Sequence, residues 1–101
     1  MGDLVPCPPG WREEDGALVR EWTWPTFRAA IRFVDQIADV AEALDHHPDI
    51  DIRWVRTRLA LRTHAVGRIT GRDLELAAAI NEVADRLRAE AGGPGQSAPV
   101  D

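Results

Sequence analysis

The hydrophobic period of the chain changes at Pro25 and again at Pro48, and each change limits what can follow. From Leu18 to Trp24 the side chains alternate. Leu18, Arg20, Trp22 and Trp24 share one face, and Val19, Glu21 and Thr23 share the other, which is strand periodicity. Trp11 to Glu14 reads as a short strand before it. Asp15-Gly16 between them is a hairpin turn signal. Pro25 suits the start of a helix, and Thr26 is a ready cap. From there to about Leu44 the apolar residues recur at helical spacing. Phe27, Ala30, Ile31, Val34, Ala38 and Ala41 form one stripe, and Phe33, Ile37, Val40 and Leu44 form a second beside it. Together they span about 200° of the helix, roughly twice what one core face needs. The second stripe therefore calls for a second partner, within the domain or in another subunit. Phe33, Ile37 and Val40 are the expected subunit contact, with a sheet edge around Leu59–Leu61 as the other.

Pro48 disfavours helical backbone at His47, so the helix stops at His46-His47. Ile50 to His64 is strand-like but out of phase with itself. Ile50, Ile52 and Trp54 have one parity, and Val55, Thr57, Leu59 and Leu61 the other, so a bulge or a strand–strand break is expected near Arg53–Arg56. Thr70-Gly71-Arg72-Asp73 resembles a capping box, with Asp in place of Glu. Leu74, Ala77, Ile80 (or Asn81), Ala84 and Leu87 carry a second helix to about Ala91. The element order is ββαββα or ββαβα. Strand runs divided by long helices imply an α+β layer, an antiparallel sheet with both helices on one face.

The chain has 101 residues, enough for one domain, expected over residues 10–91. Residues 1–9 read as an irregular arm, and 92–101 have the composition of a disordered tail. The formal net charge of −5 argues against general attraction to nucleic acid or anionic lipid. Arg53, Arg56, Arg58 and Arg62 are then most simply a solvated strand face. Cys7 is the one cysteine, so no internal disulfide can form. No charged-then-apolar leader and no membrane-length apolar run is present, which makes the cytoplasm the default expectation.

The three histidines fall in two short clusters, His46-His47-Pro48 and Thr63-His64. Imidazole titrates near neutral pH, which suits acid/base work. The pair could instead cap the helix, since positive charge is favourable at a helix C-terminus. Three histidines can also bind zinc, but adjacent residues rarely point at one ion and the i, i+4 spacing is absent, so no metal is expected. Glu42, one turn before the pair, is either a solvated carboxylate or the group that orients an imidazole. Asp73 suits a cap. Trp54 is either core or one wall of a site for a flat heterocycle.

The spacing Glu42, His46-His47-Pro48, Trp54, His64, Asp73, within EALDHHPDIDIRWVRTRLALRTHAVGRITGRDLELA, resembles the signature of the pterin-4a-carbinolamine dehydratase family. The resemblance covers Trp11 to Arg88. It implies a four-stranded antiparallel sheet with helices on one side. It also implies homodimers through sheet edges, or homotetramers through the long helix. Many members begin with an extra helix, which the short, Pro-rich leader here does not supply. The implied substrate is a 4a-hydroxytetrahydropterin released by aromatic amino-acid hydroxylases. The implied reaction is loss of water to the quinonoid dihydropterin, with no metal or redox cofactor. The family's three histidines map onto His46, His47 and His64. Glu42, Asp45, Pro48, Trp54, Thr63 and Asp73 are the remaining expected site residues. Some members instead act as dimerisation or assembly partners of other proteins.

Overall fold

The computed structural model describes residues 7–90. The rest of the expected arm, residues 1–6, and the expected tail, 92–101, lie outside them. The elements run β1 (Arg12–Glu14), β2 (Ala17–Thr23), α1 (Phe27–Leu44), β3 (Asp49–Arg53), β4 (Arg56–Leu61) and α2 (Gly71–Glu90). The strands form one antiparallel sheet in the order β1-β2-β4-β3, with both helices on one face.

Local chemistry explains most of these boundaries. Asp15 and Gly16 both have positive φ, as the favoured two-residue hairpin turn requires. Thr26 is extended, and its hydroxyl accepts from the Ala29 N–H at 3.0 Å, which caps α1. The phase break expected near Arg53–Arg56 is a strand–strand break. Trp54 and Val55 form a two-residue turn, and Arg53 pairs with Arg56. Reversal over two residues opposes Ile52 to Thr57 and Ile50 to Leu59, so the inward parity changes from even to odd. Trp24 N–H closes on the Val55 carbonyl at 2.8 Å, and its indole N–H donates to the buried Thr57 hydroxyl at 3.1 Å.

The core lies between the sheet and the helices. Leu18, Trp22, Leu59 and Leu61 meet Phe33 and Ile37 of α1 and Leu76, Ile80 and Ala84 of α2. Phe33 packs on both Trp22 and Trp24, with ring centroids 5.0 and 4.7 Å apart. At the other end of the core Asn81 ties distant segments together. Its side-chain oxygen accepts from the Trp11 indole and from Arg20, each at 2.8 Å, and its amide donates to the Pro9 carbonyl. The sheet's outer face is charged. Hydrogen bonds from Arg58, then Arg12, hold the Glu14 carboxyl below its ordinary pKa.

Two expectations are corrected here. Phe33 and Ile37 are fully buried within the chain, so that stripe is core and not a subunit contact. The stripe left in solvent is Phe27 and Ile31, 52% and 41% exposed, continued by Val34 and Ala38. Two apolar stripes on one helix do not reveal which faces the sheet; the sheet and α2 settle that. Leu59–Leu61 is likewise no edge, because β4 is flanked by β2 and β3. The edges are β1 and β3.

Candidate active site

The His pair follows directly from how α1 ends. Asp45 takes a left-handed conformation (φ 52, ψ 45), and the His46 N–H bonds back to the Ala41 carbonyl at 3.1 Å. A short polar side chain tolerates that backbone at a helix C-terminus. The reversal turns His46 toward α2 and leaves His47 outside. Pro48 then leads into β3.

His46 is nearly buried, and its Nε2 lies 2.5 Å from Oδ1 of Asp73, which has no exposed surface. The other Asp73 oxygen accepts from the Thr63 hydroxyl and from the Thr70 N–H, each at 2.8 Å. The Thr70 hydroxyl donates on to Thr63 at 2.6 Å. An ionised carboxylate only accepts, so the imidazole nitrogen facing it carries the proton. That fixes the ring and leaves Nδ1 as the nitrogen free for a ligand. His47 is exposed, and its Nε2 lies 2.6 Å from Glu42 Oε2. Glu42 is thus both a solvated carboxylate and a hydrogen-bond partner of an imidazole.

A cleft of about 350 Å³ opens over these groups, within the size range of small-molecule sites. Asp45, His46, His47, Pro48, Thr63 and His64 line it, together with Asp49, Ala65 and Arg72. Thr63 lies just beyond β4; its N–H donates to the Arg68 carbonyl at 3.0 Å and its carbonyl accepts from the Val66 and Gly67 N–H groups, and His64 follows it into solvent. Among the described residues no group of three His, Cys, Asp or Glu side chains is placed to hold a metal ion.

The structure thus gathers all three histidines with Asp45, Pro48 and Thr63. Asp73 lies beneath the cleft rather than in it. With no exposed surface it meets the cleft only through its hydrogen bonds to His46 and Thr63. Trp54 is not part of the cleft. It sits at the far end of β3, about 17 Å along the strand by ordinary strand rise. Arg72 was not foreseen. It lines the cleft and donates to the Asp45 carbonyl at 2.6 Å. Its position in the first turn of α2, next to Asp73, was the available signal.

The profile of the pterin 4 alpha carbinolamine dehydratase family matches residues 3–83. The chain belongs to that family. A protein of Roseiflexus castenholzii, provisionally named as such a dehydratase, is 45% identical over 83 residues, 82% of this chain and 85% of its own length. A Chloroflexus aurantiacus protein with the same provisional name is 52% identical over 75 residues, 74% and 81% of the two chains. The crystal structure of a transcriptional coactivator/pterin dehydratase from Brucella melitensis superposes with a TM-score of 0.72 at 33% identity. That match covers 75% of this chain and 83% of that one. Within this dehydratase family the His46, His47 and His64 cleft is the natural place to look for chemistry.

Proposed function

We propose that this protein is a cytoplasmic hydro-lyase that converts a 4a-hydroxytetrahydropterin to the quinonoid dihydropterin and water, in pterin recycling after aromatic hydroxylation. The observation that carries this reading is the convergence of three imidazoles on one cleft, one of them clamped to a buried carboxylate. Family membership supports it. The C4a hydroxyl leaves as water when an acid protonates it, and N5 gives its proton to a base as the C4a–N5 double bond forms. One proton is delivered, one is taken, and no electrons are exchanged. The reaction therefore requires neither a metal nor a redox cofactor, and two positioned imidazoles suffice. His46 and His64 take the acid and base roles. His47, steadied by Glu42, and the Thr63 segment orient the ring. Stopped-flow dehydration of synthetic 4a-hydroxytetrahydropterin tests this. Purified protein should accelerate the reaction equally with and without EDTA. A rate at buffer level from folded protein would sink it.

The exposed stripe of α1 supports a second property, self-association. Phe27, Ile31, Val34 and Ala38 form an apolar band of the kind that marks interfaces. Through it the protein is a homodimer or homotetramer, and the same band suits a protein partner in the assembly role known for some relatives. Ile31→Glu should lower the mass seen by light scattering and leave the fold intact. Ile37→Glu, at a fully buried position, should prevent folding outright, because an unpaired buried charge costs several kcal/mol. A wild-type monomer at micromolar concentration would refute the association.

A further inference from the structure

α1 meets α2 along one side, and at one point on that side it falls short. Ala29, Arg32 and Gln36 recur at i, i+3 and i+7, so all three face α2. Arg32 reaches Glu90 at 3.0 Å, and Gln36 accepts from Arg86 at 2.8 Å. Ala29, one turn nearer the start of the helix, has only a methyl group to offer. A cavity of about 250 Å³ stays open there, between the start of α1 and the end of α2. Trp24, Ala29 and Leu87 form its apolar part, and Arg28, Arg32 and Glu90 stand at its rim. It is remote from the histidine cleft. Arg28 and Asp45 lie toward opposite ends of α1, about 26 Å apart by helical rise.

The rim is not neutral. Two guanidiniums and one carboxylate leave a surplus of one positive charge. Glu90 is already paired with Arg32. Arg88, another cation at this end of the molecule, lies over the Trp24 ring at 4.7 Å and donates to the Thr23 carbonyl. Arg28 has no carboxylate within ion-pair reach among the described residues. Its planar fork matches a carboxylate, which it can hold by two parallel N–H···O bonds. Behind the fork the surroundings are apolar, with Trp24 beneath and Leu87 opposite Ala29. The volume lies just below that of sites for drug-sized ligands, so it suits one ring on a short chain. A ring inside and a carboxylate at the rim complement the cavity in both shape and charge.

We propose that this cavity is a second ligand site, which takes a small aromatic carboxylate with its ring against Ala29 and Leu87 and its carboxylate on Arg28. The site is independent of the pterin reading, and its test does not measure turnover. The probe is 3-phenylpropionate, titrated into the full chain with methyl groups labelled for NMR. The methyl signals of Ala29 and Leu87 should shift, and that of Ala65 in the histidine cleft should not. A Kd on the order of 0.1–1 mM suits a ligand this small. Two analogues separate the parts of the probe. 3-Phenylpropanamide keeps the ring and loses the charge, and propionate keeps the charge and loses the ring. Each should bind at least about tenfold more weakly. Arg28→Ala should weaken the probe about tenfold and melt like wild type, because Arg28 is exposed and holds no described carboxylate. Ala29→Met suits a helix and fills the cavity from within, so it should abolish binding, with its melting temperature as the check on folding. Should that variant fail to fold, Arg28→Ala and the two analogues still decide. No shift up to about 10 mM probe would overturn the site, and a cavity already filled by the residues after Glu90 would read the same way. Shifts confined to Ala65 would overturn it as well. Undiminished binding of the amide, or of the probe to Arg28→Ala, would overturn the role of the carboxylate. Undiminished binding to folded Ala29→Met would place the probe elsewhere and overturn the cavity.

Discussion

His64→Ala lowers kcat by about 10²–10⁴ and leaves the melting temperature nearly unchanged. That range is typical for loss of a positioned acid or base. His64 is exposed at the mouth of the cleft, so its removal leaves nothing buried without a partner. His46→Ala should cost a similar factor, but it also strips a donor from a carboxylate with no exposed surface, so stability falls as well. His46→Gln, which can present an N–H to Asp73 without a titratable ring, separates the two losses. His47→Ala should act mainly on KM, because the His47 ring is steadied by Glu42 at the cleft's exposed side. Near-normal kcat/KM in all three alanine variants would show that the chemistry lies elsewhere.

Asp73→Asn changes one atom and should be nearly as damaging. The carboxylate accepts from His46, the Thr63 hydroxyl and the Thr70 N–H. An amide offers one oxygen in place of two. Whichever way it turns, an NH₂ group faces a donor. An unsatisfied buried group of this kind costs about 1–3 kcal/mol. For a domain of this size that is a fall of about 4–8 °C in Tm per kcal/mol. The kinetic signature is more telling. With Asp73 no longer holding it, the His46 ring loses its fixed tautomer, and kcat should fall by about 10² or more. KM should barely move, because Asp73 does not touch the cleft. An Asn variant with wild-type kcat would reduce Asp73 to a helix cap.

Much of this was legible in the sequence because it depends on neighbours along the chain. Asp15-Gly16 makes its turn, Thr26 caps its helix and Pro48 ends the helical run, whatever the rest of the molecule does. The capping-box reading of Asp73 was correct as far as it went, since its carboxylate does accept from the Thr70 N–H. The other half of its role lies across a gap of 27 residues, in the contact with His46, and no local pattern encodes that. The two stripes of α1 posed the same difficulty. Their residue types are alike, and only the arrival of Trp22, Trp24 and α2 decides that Phe33 goes inside and Ile31 stays out. Trp54 matched the spacing of the signature, yet spacing measures chain length and not direction. A strand that leaves the cleft carries its last residue away from it.

The two edges of the sheet have unequal capacity for growth. β1 has three residues, Arg12, Glu13 and Glu14, a charged stub that offers an incoming strand little to pair with. β3 has five and exposes both apolar side chains and main-chain groups. A sheet with two open edges can add copies head to tail without limit, which is the geometry of a fibre. A sheet with one open edge cannot. Any copy that docks on β3 uses its own open edge to do so and presents only its blunt edge to the next. Addition therefore terminates at a closed pair, and the short first strand sets a ceiling on assembly along the sheet.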